Sequence, residues 1–213
     1  NLVKYYKNGT EFYARFVKGN GEALANTNVT FNINGKDYIR KTNNEGIASM
    51  AINLGAGTYN VAVKYNESSV NVTVTVKSTI MADNLVKMYQ NATRFYSKFT
   101  DSTGKALANT LVKFNIHGVF YNKTTDKDGV ADLGIMLRPG NYILTAYNPV
   151  TGEEKGFNIT VKSLIMQNDL TKYYLNASRF EATVYNKDGS LAVNKNVTFN
   201  INGVFYHKKT DEN

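Results

Sequence analysis

Side chains able to do chemistry are sparse in this chain, and the ones that recur do so at a fixed interval. The pattern Asn-x-Ser/Thr stands at Asn8, Asn28, Asn66, Asn71, Asn91, Asn122, Asn158, Asn176 and Asn196. In an exported protein each is an acceptor pattern for an N-linked glycan, although a chain rich in Asn and Thr also forms the pattern by chance. Asn8, Asn91 and Asn176 stand out because they recur at one place, just ahead of a strand, where a loop exposes them. Carboxylates gather at Asp126-Lys127-Asp128-Gly129, with Asp188 before Gly189 and Asp211-Glu212 elsewhere. Calcium needs about six oxygens or more, which loops this short do not supply, so turn chemistry ahead of a glycine explains them better. His117 and His207 occupy non-equivalent places and read as solvent-facing turn or strand residues. Outward-facing tyrosines such as Tyr13, Tyr96 and Tyr185 could stack on sugars or partner proteins, while filling and edging a β-fold is the plainer use of tyrosine. No serine–histidine–acid set, phosphate-cradling loop or metal-spaced histidine pair is present. The expectation is no catalytic residue, no cofactor, no metal and no enzymatic activity.

The elements that carry these groups are set by repetition. Asn1-Leu2-Val3-Lys4-Tyr5-Tyr6 returns as Asn84-Leu85-Val86-Lys87-Met88-Tyr89 and again as Asp169-Leu170-Thr171-Lys172-Tyr173-Tyr174. Counted between Lys4, Lys87 and Lys172, the period is 83 and then 85 residues. A period of this size means tandem copies of one small domain. The copies are 1–83, 84–168 and a truncated 169–213.

Within a copy, apolar residues alternate at period two, as in half-buried strands. Phe12, Ala14 and Phe16 fall on one face, matched by Phe95, Ser97, Phe99 and by Phe180, Ala182, Val184. Val29, Phe31 and Ile33 follow, then Asn34-Gly35, matched by His117-Gly118 and Asn202-Gly203. Such pairs tolerate the positive φ angles of a type I′ hairpin. Further strands run through Ala48–Leu54, Tyr59–Val63 and Val70–Val76. That makes about seven short strands per copy and predicts an all-β fold of tandem immunoglobulin-like sandwiches. Gly-x-Tyr at Gly57–Tyr59 and Gly140–Tyr142 looks like a tyrosine corner. The links carry Ile80-Met81 and Ile165-Met166, apolar pairs expected to pack at the junctions and stiffen them. The third copy ends before its last strands and could not close a sandwich by itself.

The 213 residues carry a formal charge of +8 with pI near 9.4, spread without a run or stripe. A solvated basic surface is the reading, with loose attraction to polyanions and no specific nucleic acid. The absence of cysteine excludes disulfides and thiolate sites. No apolar run approaches the roughly 18 residues of a membrane span. The chain reads as a piece of a longer exported protein whose signal and anchor lie elsewhere.

Gly104-Lys105-Ala106-Leu107-Ala108-Asn109-Thr110 and Thr125-Asp126-Lys127-Asp128-Gly129-Val130-Ala131 resemble the invasin and intimin type of bacterial immunoglobulin-like repeat. The whole repeat, with Lys-Tyr-Tyr, Asn-Val-Thr-Phe-Asn-Ile-Asn-Gly and Pro-Gly-x-Tyr, is more similar still to adhesin-like surface proteins of methanogenic archaea. The resemblance implies export, cell-surface display and a role as a spacer, and it carries over no catalytic residue. Surface repeats of this general shape often hold a Lys–Asn amide crosslink. Lys4, Lys87 and Lys172 recur here, but no acid recurs beside them, since Glu11 becomes Arg94 and Arg179. The expected function is an extracellular structural stalk or adhesin segment presenting a distal module. The alternatives are direct binding of glycans, proteins or wall polymer of a cell, or a filament subunit whose incomplete third repeat is finished by a donated strand.

Overall fold

The computed structural model describes residues 1–212, which are all-β. Strands β1 (Leu2–Tyr5), β2 (Glu11–Arg15), β3 (Asn28–Ile33), β4 (Lys36–Lys41), β5 (Ile47–Ala51), β6 (Gly57–Tyr65) and β7 (Ser68–Lys77) build the first unit. They form a five-stranded sheet, β1-β7-β6-β3-β4, facing the pair β2-β5. The second unit contains β8 (Ile80–Met81), β9 (Leu85–Met88), β10 (Arg94–Phe99), β11 (Leu111–Ile116), β12 (Val119–Thr124), β13 (Val130–Gly134), β14 (Gly140–Tyr147) and β15 (Glu154–Lys162). Its sheets are β12-β11-β14-β15-β9 and β13-β10-β8. Both are immunoglobulin-like sandwiches, each with a core of its own.

The alternation read from the sequence decides which side chains meet. Phe12 of β2 packs edge-on against Phe31 of β3, with ring centroids 5.7 Å apart. Phe95 of β10 and Phe114 of β11 repeat this at 6.0 Å. Such pairs add about 0.5–1.5 kcal/mol beyond the area they bury. At the hairpins, Asn34 and Gly35 have φ of 51° and 78°, and His117 and Gly118 have 53° and 77°. These left-handed values let β3 and β4, or β11 and β12, reverse in two residues without splaying.

The first and last long strands of each unit run parallel. Leu2–Tyr5 lies beside Val74–Lys77 in β7, and Leu85–Met88 beside Ile159–Lys162 in β15. The chain therefore enters each unit at one end and leaves at the other.

Ile80-Met81, expected to pack between copies, instead pairs with β10. Ile80 is fully buried in the second core, while Met81 faces outward. The segment that follows closes no sandwich among the described residues. Its strands β16 (Ile165–Gln167) and β17 (Ala182–Val184) pair with each other, and so do β18 (Asn196–Ile201) and β19 (Val204–Lys209). Phe180 meets Phe199 edge-on at 5.8 Å, but both lie outside any closed core among the described residues.

Candidate functional site

The most heavily built polar region lies where the first unit hands the chain to the second. The link residue Thr79 is gripped by the β14–β15 loop, Asn148–Glu153. That loop is longer than its counterpart in the first unit, a tight turn at Asn66-Glu67 between β6 and β7. Glu153, only 6% exposed, accepts from the Thr79 N–H and the Thr79 hydroxyl, each at 2.6 Å. The Asn148 amide donates to Thr79 Oγ1 at 3.0 Å and to the Thr100 carbonyl at 2.8 Å. Thr151 Oγ1 lies 2.8 Å from Thr79 Oγ1. The Thr100 N–H donates to the Thr79 carbonyl at 2.9 Å, and Lys155 Nζ to the Ile80 carbonyl at 3.1 Å. Both Glu153 bonds fall on Oε2, and a buried carboxylate oxygen needs such partners.

A second contact crosses the same junction. The Asn8 Nδ2 donates to the Ser102 carbonyl at 2.8 Å. Its Oδ1 accepts from Thr10 N–H at 2.9 Å and from the Thr10 hydroxyl. The Asn-x-Thr spacing thus folds into a local turn that aims the amide at the next unit. Asn91 does the same, donating to the Lys187 carbonyl of the third unit at 2.8 Å while holding Thr93. Asn176 holds Ser178 in the same turn and is exposed. The ring of Tyr5 covers Gly104, and Met88 approaches Gly189 at the next junction. The sequence places Asn8 and Asn91 in exposed loops; both are half-buried, with their amides bonded to the next unit.

Beside this contact sits the recurrent lysine. Lys4 Nζ, buried, donates to the carbonyls of Thr10 at 2.8 Å and Ile52 at 3.1 Å. Lys87 donates to Thr93 at 3.0 Å and Ile135 at 2.9 Å. Among the described residues Lys172 finds only the Ser178 carbonyl, at 2.9 Å, and none of them is a counterpart of Ile52 or Ile135. Burial holds the Lys4 and Lys87 ammonium groups below the ordinary lysine pKa; Glu11 opposes this at Lys4, and Arg94 reinforces it at Lys87. The bonds of Lys4 and Lys87 run to backbone carbonyls and not to an asparagine side chain, so these lysines are ties between the two sheets.

The remaining sequence candidates are placed as follows. Tyr13 and Tyr96 are 62% and 58% exposed at equivalent positions on β2 and β10. Tyr185 does not belong with them. It bridges Leu191 as Val17 bridges Ala23 and Thr100 bridges Ala106, so it occupies the Val17 position, and Glu181 takes the place of the other two tyrosines. Asp126 accepts from the Asp128 and Val130 N–H groups at 2.9 Å, and those bonds, led by Val130, hold its carboxyl below the usual range. Asn43 makes the same turn in the first unit. His117 stands edge-on to Tyr142 at 5.5 Å, and His207 bonds Thr198 at 3.0 Å, both on exposed ribbons. The tyrosine corners form, Tyr59 donating to the Gly55 carbonyl and Tyr142 to the Arg138 carbonyl, each at 2.9 Å. The Asn148–Glu153 clamp went unread in the sequence; its signal is the extra length and polarity of Asn148-Pro149-Val150-Thr151-Gly152-Glu153.

No known family matches the chain, and no curated protein matches it. Among solved structures it is similar to fibronectin(III)-like modules of Clostridium thermocellum CbhA, at 16% identity over 76% of this chain and 90% of that one, with a TM-score of 0.30. It is also similar to the I9–I11 tandem of titin, at 13% identity over 76% and 63%, with a TM-score of 0.32. A Ca2+-stabilized adhesin of an Antarctic bacterium that binds ice is similar at 15% identity over 94% and 58%, with a TM-score of 0.25.

Proposed function

We propose that the chain is a non-enzymatic, stiff stalk segment of an extracellular microbial surface protein, built of immunoglobulin-like units 1–83, 84–168 and 169–213, that holds a distal module away from the cell. The observation that carries this is the junction. Asn8 to Ser102 and Asn91 to Lys187 are the same contact made twice, one repeat apart. A contact repeated at successive junctions fixes the same angle at each, which is how a rod is built from beads. The buried clamp on Thr79 removes the freedom a link would otherwise have.

The strand order supports a load-bearing role. A pull on the two ends of a unit slides β1 against β7, or β9 against β15, so the parallel ladder is loaded in shear. Its hydrogen bonds then share the force and are not opened one at a time. The Lys4 and Lys87 ties join that ladder to the opposite sheet. An archaeal origin rests on the repeat motifs alone, and N-linked glycans would sit on the exposed sequons. Small-angle scattering of the chain tests the reading: an extended rod profile supports it, and a compact or broadly averaged one removes it.

Direct binding is the second reading, favoured by Tyr13 and Tyr96, which present exposed rings at matching places on successive units. A glycan array probed with the chain and with Tyr13→Ala/Tyr96→Ala tests it.

A further inference from the structure

The second unit closes one edge of its sandwich with residues that come before its own first long strand. Met81 and Ile80 pair antiparallel with Lys98 and Phe99. Ile80 is fully enclosed, in one core with Phe99 and Phe114. The Thr100 N–H is satisfied by the Thr79 carbonyl at 2.9 Å. The third unit repeats the arrangement. Ile165–Gln167 lies along Ala182–Val184, and the Tyr185 N–H donates to the Leu164 carbonyl at 2.8 Å.

In the first unit no strand covers the corresponding edge among the described residues. β2 pairs with β5 alone. Val17, the counterpart of Thr100 and Tyr185, has no backbone acceptor for its N–H among the described residues. Next to it opens a cavity of about 430 Å³, lined by Phe12, Phe16, Val63, Tyr65 and Val72. Val70, the counterpart of Lys155, borders the same space. A free strand edge beside an apolar hole is the geometry that takes up an added strand.

We propose that this edge of the first unit is a receiving slot for an extended link strand of the repeat's own kind, with the chemistry of Ser78-Thr79-Ile80-Met81. It would run antiparallel to Arg15 and Phe16, with its isoleucine in the cavity between Phe16 and Val72. The carbonyl of the residue before the isoleucine would accept from the Val17 N–H. The two filled slots fix this choice of occupant, since both take an Ile-Met pair in the same register. The inference does not depend on the stalk reading, because it concerns only how one unit is completed.

The test fuses the sequence Val76–Asp83 ahead of Asn1, reproducing the spacing at which that segment precedes Asn84. A second fusion replaces its isoleucine by aspartate. The addition is at an exposed end, and the body of the chain is unchanged. With isoleucine, amide exchange at Val17 slows, and the melting point of the first unit rises by about 4–8 °C over the aspartate fusion. If the two fusions show equal Val17 exchange and equal melting, the slot does not exist as described.

Discussion

Gly104 and Tyr5 share one space. A Cβ on Gly104 would stand 2.4 Å from Tyr5 Cε2, so the ring from the first unit lies against bare backbone of the second. Gly21, the counterpart of Gly104, has nothing within 4 Å. Both have positive φ, 85° at Gly21 and 89° at Gly104.

That pair separates backbone strain from junction packing. Gly21→Ala and Gly104→Ala should each cost their own unit about 1–2 kcal/mol for the left-handed conformation. Only Gly104→Ala must also displace Tyr5 and loosen the angle between units. Thermal melts measure the first effect, and inter-unit distance distributions the second; equal loosening in both variants would contradict the packing.

The Asn8 amide is a junction lock as well as a sequon. Asn8→Asp keeps the oxygen that holds Thr10 but replaces the donor facing the Ser102 carbonyl by an acceptor. The first unit should keep its melting point while the first junction loosens. Asn91→Asp should do the same at the Lys187 contact. A glycan on either Nδ2 competes with that bond. Peptide mass mapping of glycosylated protein should therefore find occupancy higher at Asn176 than at Asn8 or Asn91.

Lys87→Met retains the stem and removes the ammonium, leaving the Thr93 and Ile135 carbonyls unpaired. The loss should be about 1–3 kcal/mol on the second unit. The pH dependence has a definite sign. The folded-state pKa lies below the ordinary 10.5, so the native protein releases this proton before the unfolded chain does. Through that window the unfolded state holds more protons, and stability contributed by Lys87 rises with pH. Melts of wild type and Lys87→Met from neutral to alkaline pH should show their difference growing toward 10.5.

The clamp predicts a graded pair. Glu153→Ala leaves the buried Thr79 N–H and hydroxyl without their acceptor, at about 1–3 kcal/mol. Glu153→Gln keeps one oxygen for them and should lose less. Urea titrations of the second unit measure the order, which reverses if the carboxylate is not the acceptor.

Much of a unit was legible because its signals are local. Phe12, Ala14 and Phe16 declare their face by alternation, Asn34-Gly35 declares its turn by positive φ, and Tyr59 its corner by spacing from a glycine. What stayed hidden depends on which strand, loop or unit stands nearby. Nothing in Ile80-Met81 distinguishes a link residue from a core residue, since both need only be apolar, and the difference is which edge stands nearby. The sequon at Asn8 looks the same whether its nitrogen meets solvent or the Ser102 carbonyl. Tyr185 resembles Tyr13 and Tyr96 in type and neighbourhood alone, since the third copy has Glu181 at their position. The loop at Asn148–Glu153 has only the tight turn at Asn66-Glu67 as its counterpart, so none of its clamp residues recurs.

The stalk account stands or falls on whether the first two units hold one relative orientation. The chain has no cysteine, so spin labels can be placed through Thr58→Cys and Asn141→Cys, at exposed positions on β6 and β14. Pulsed electron resonance then reads the distance between units in frozen solution. The account predicts one narrow distribution that broadens when Asn8→Asp is added. A broad distribution already present without that change, and untouched by it, would contradict the account.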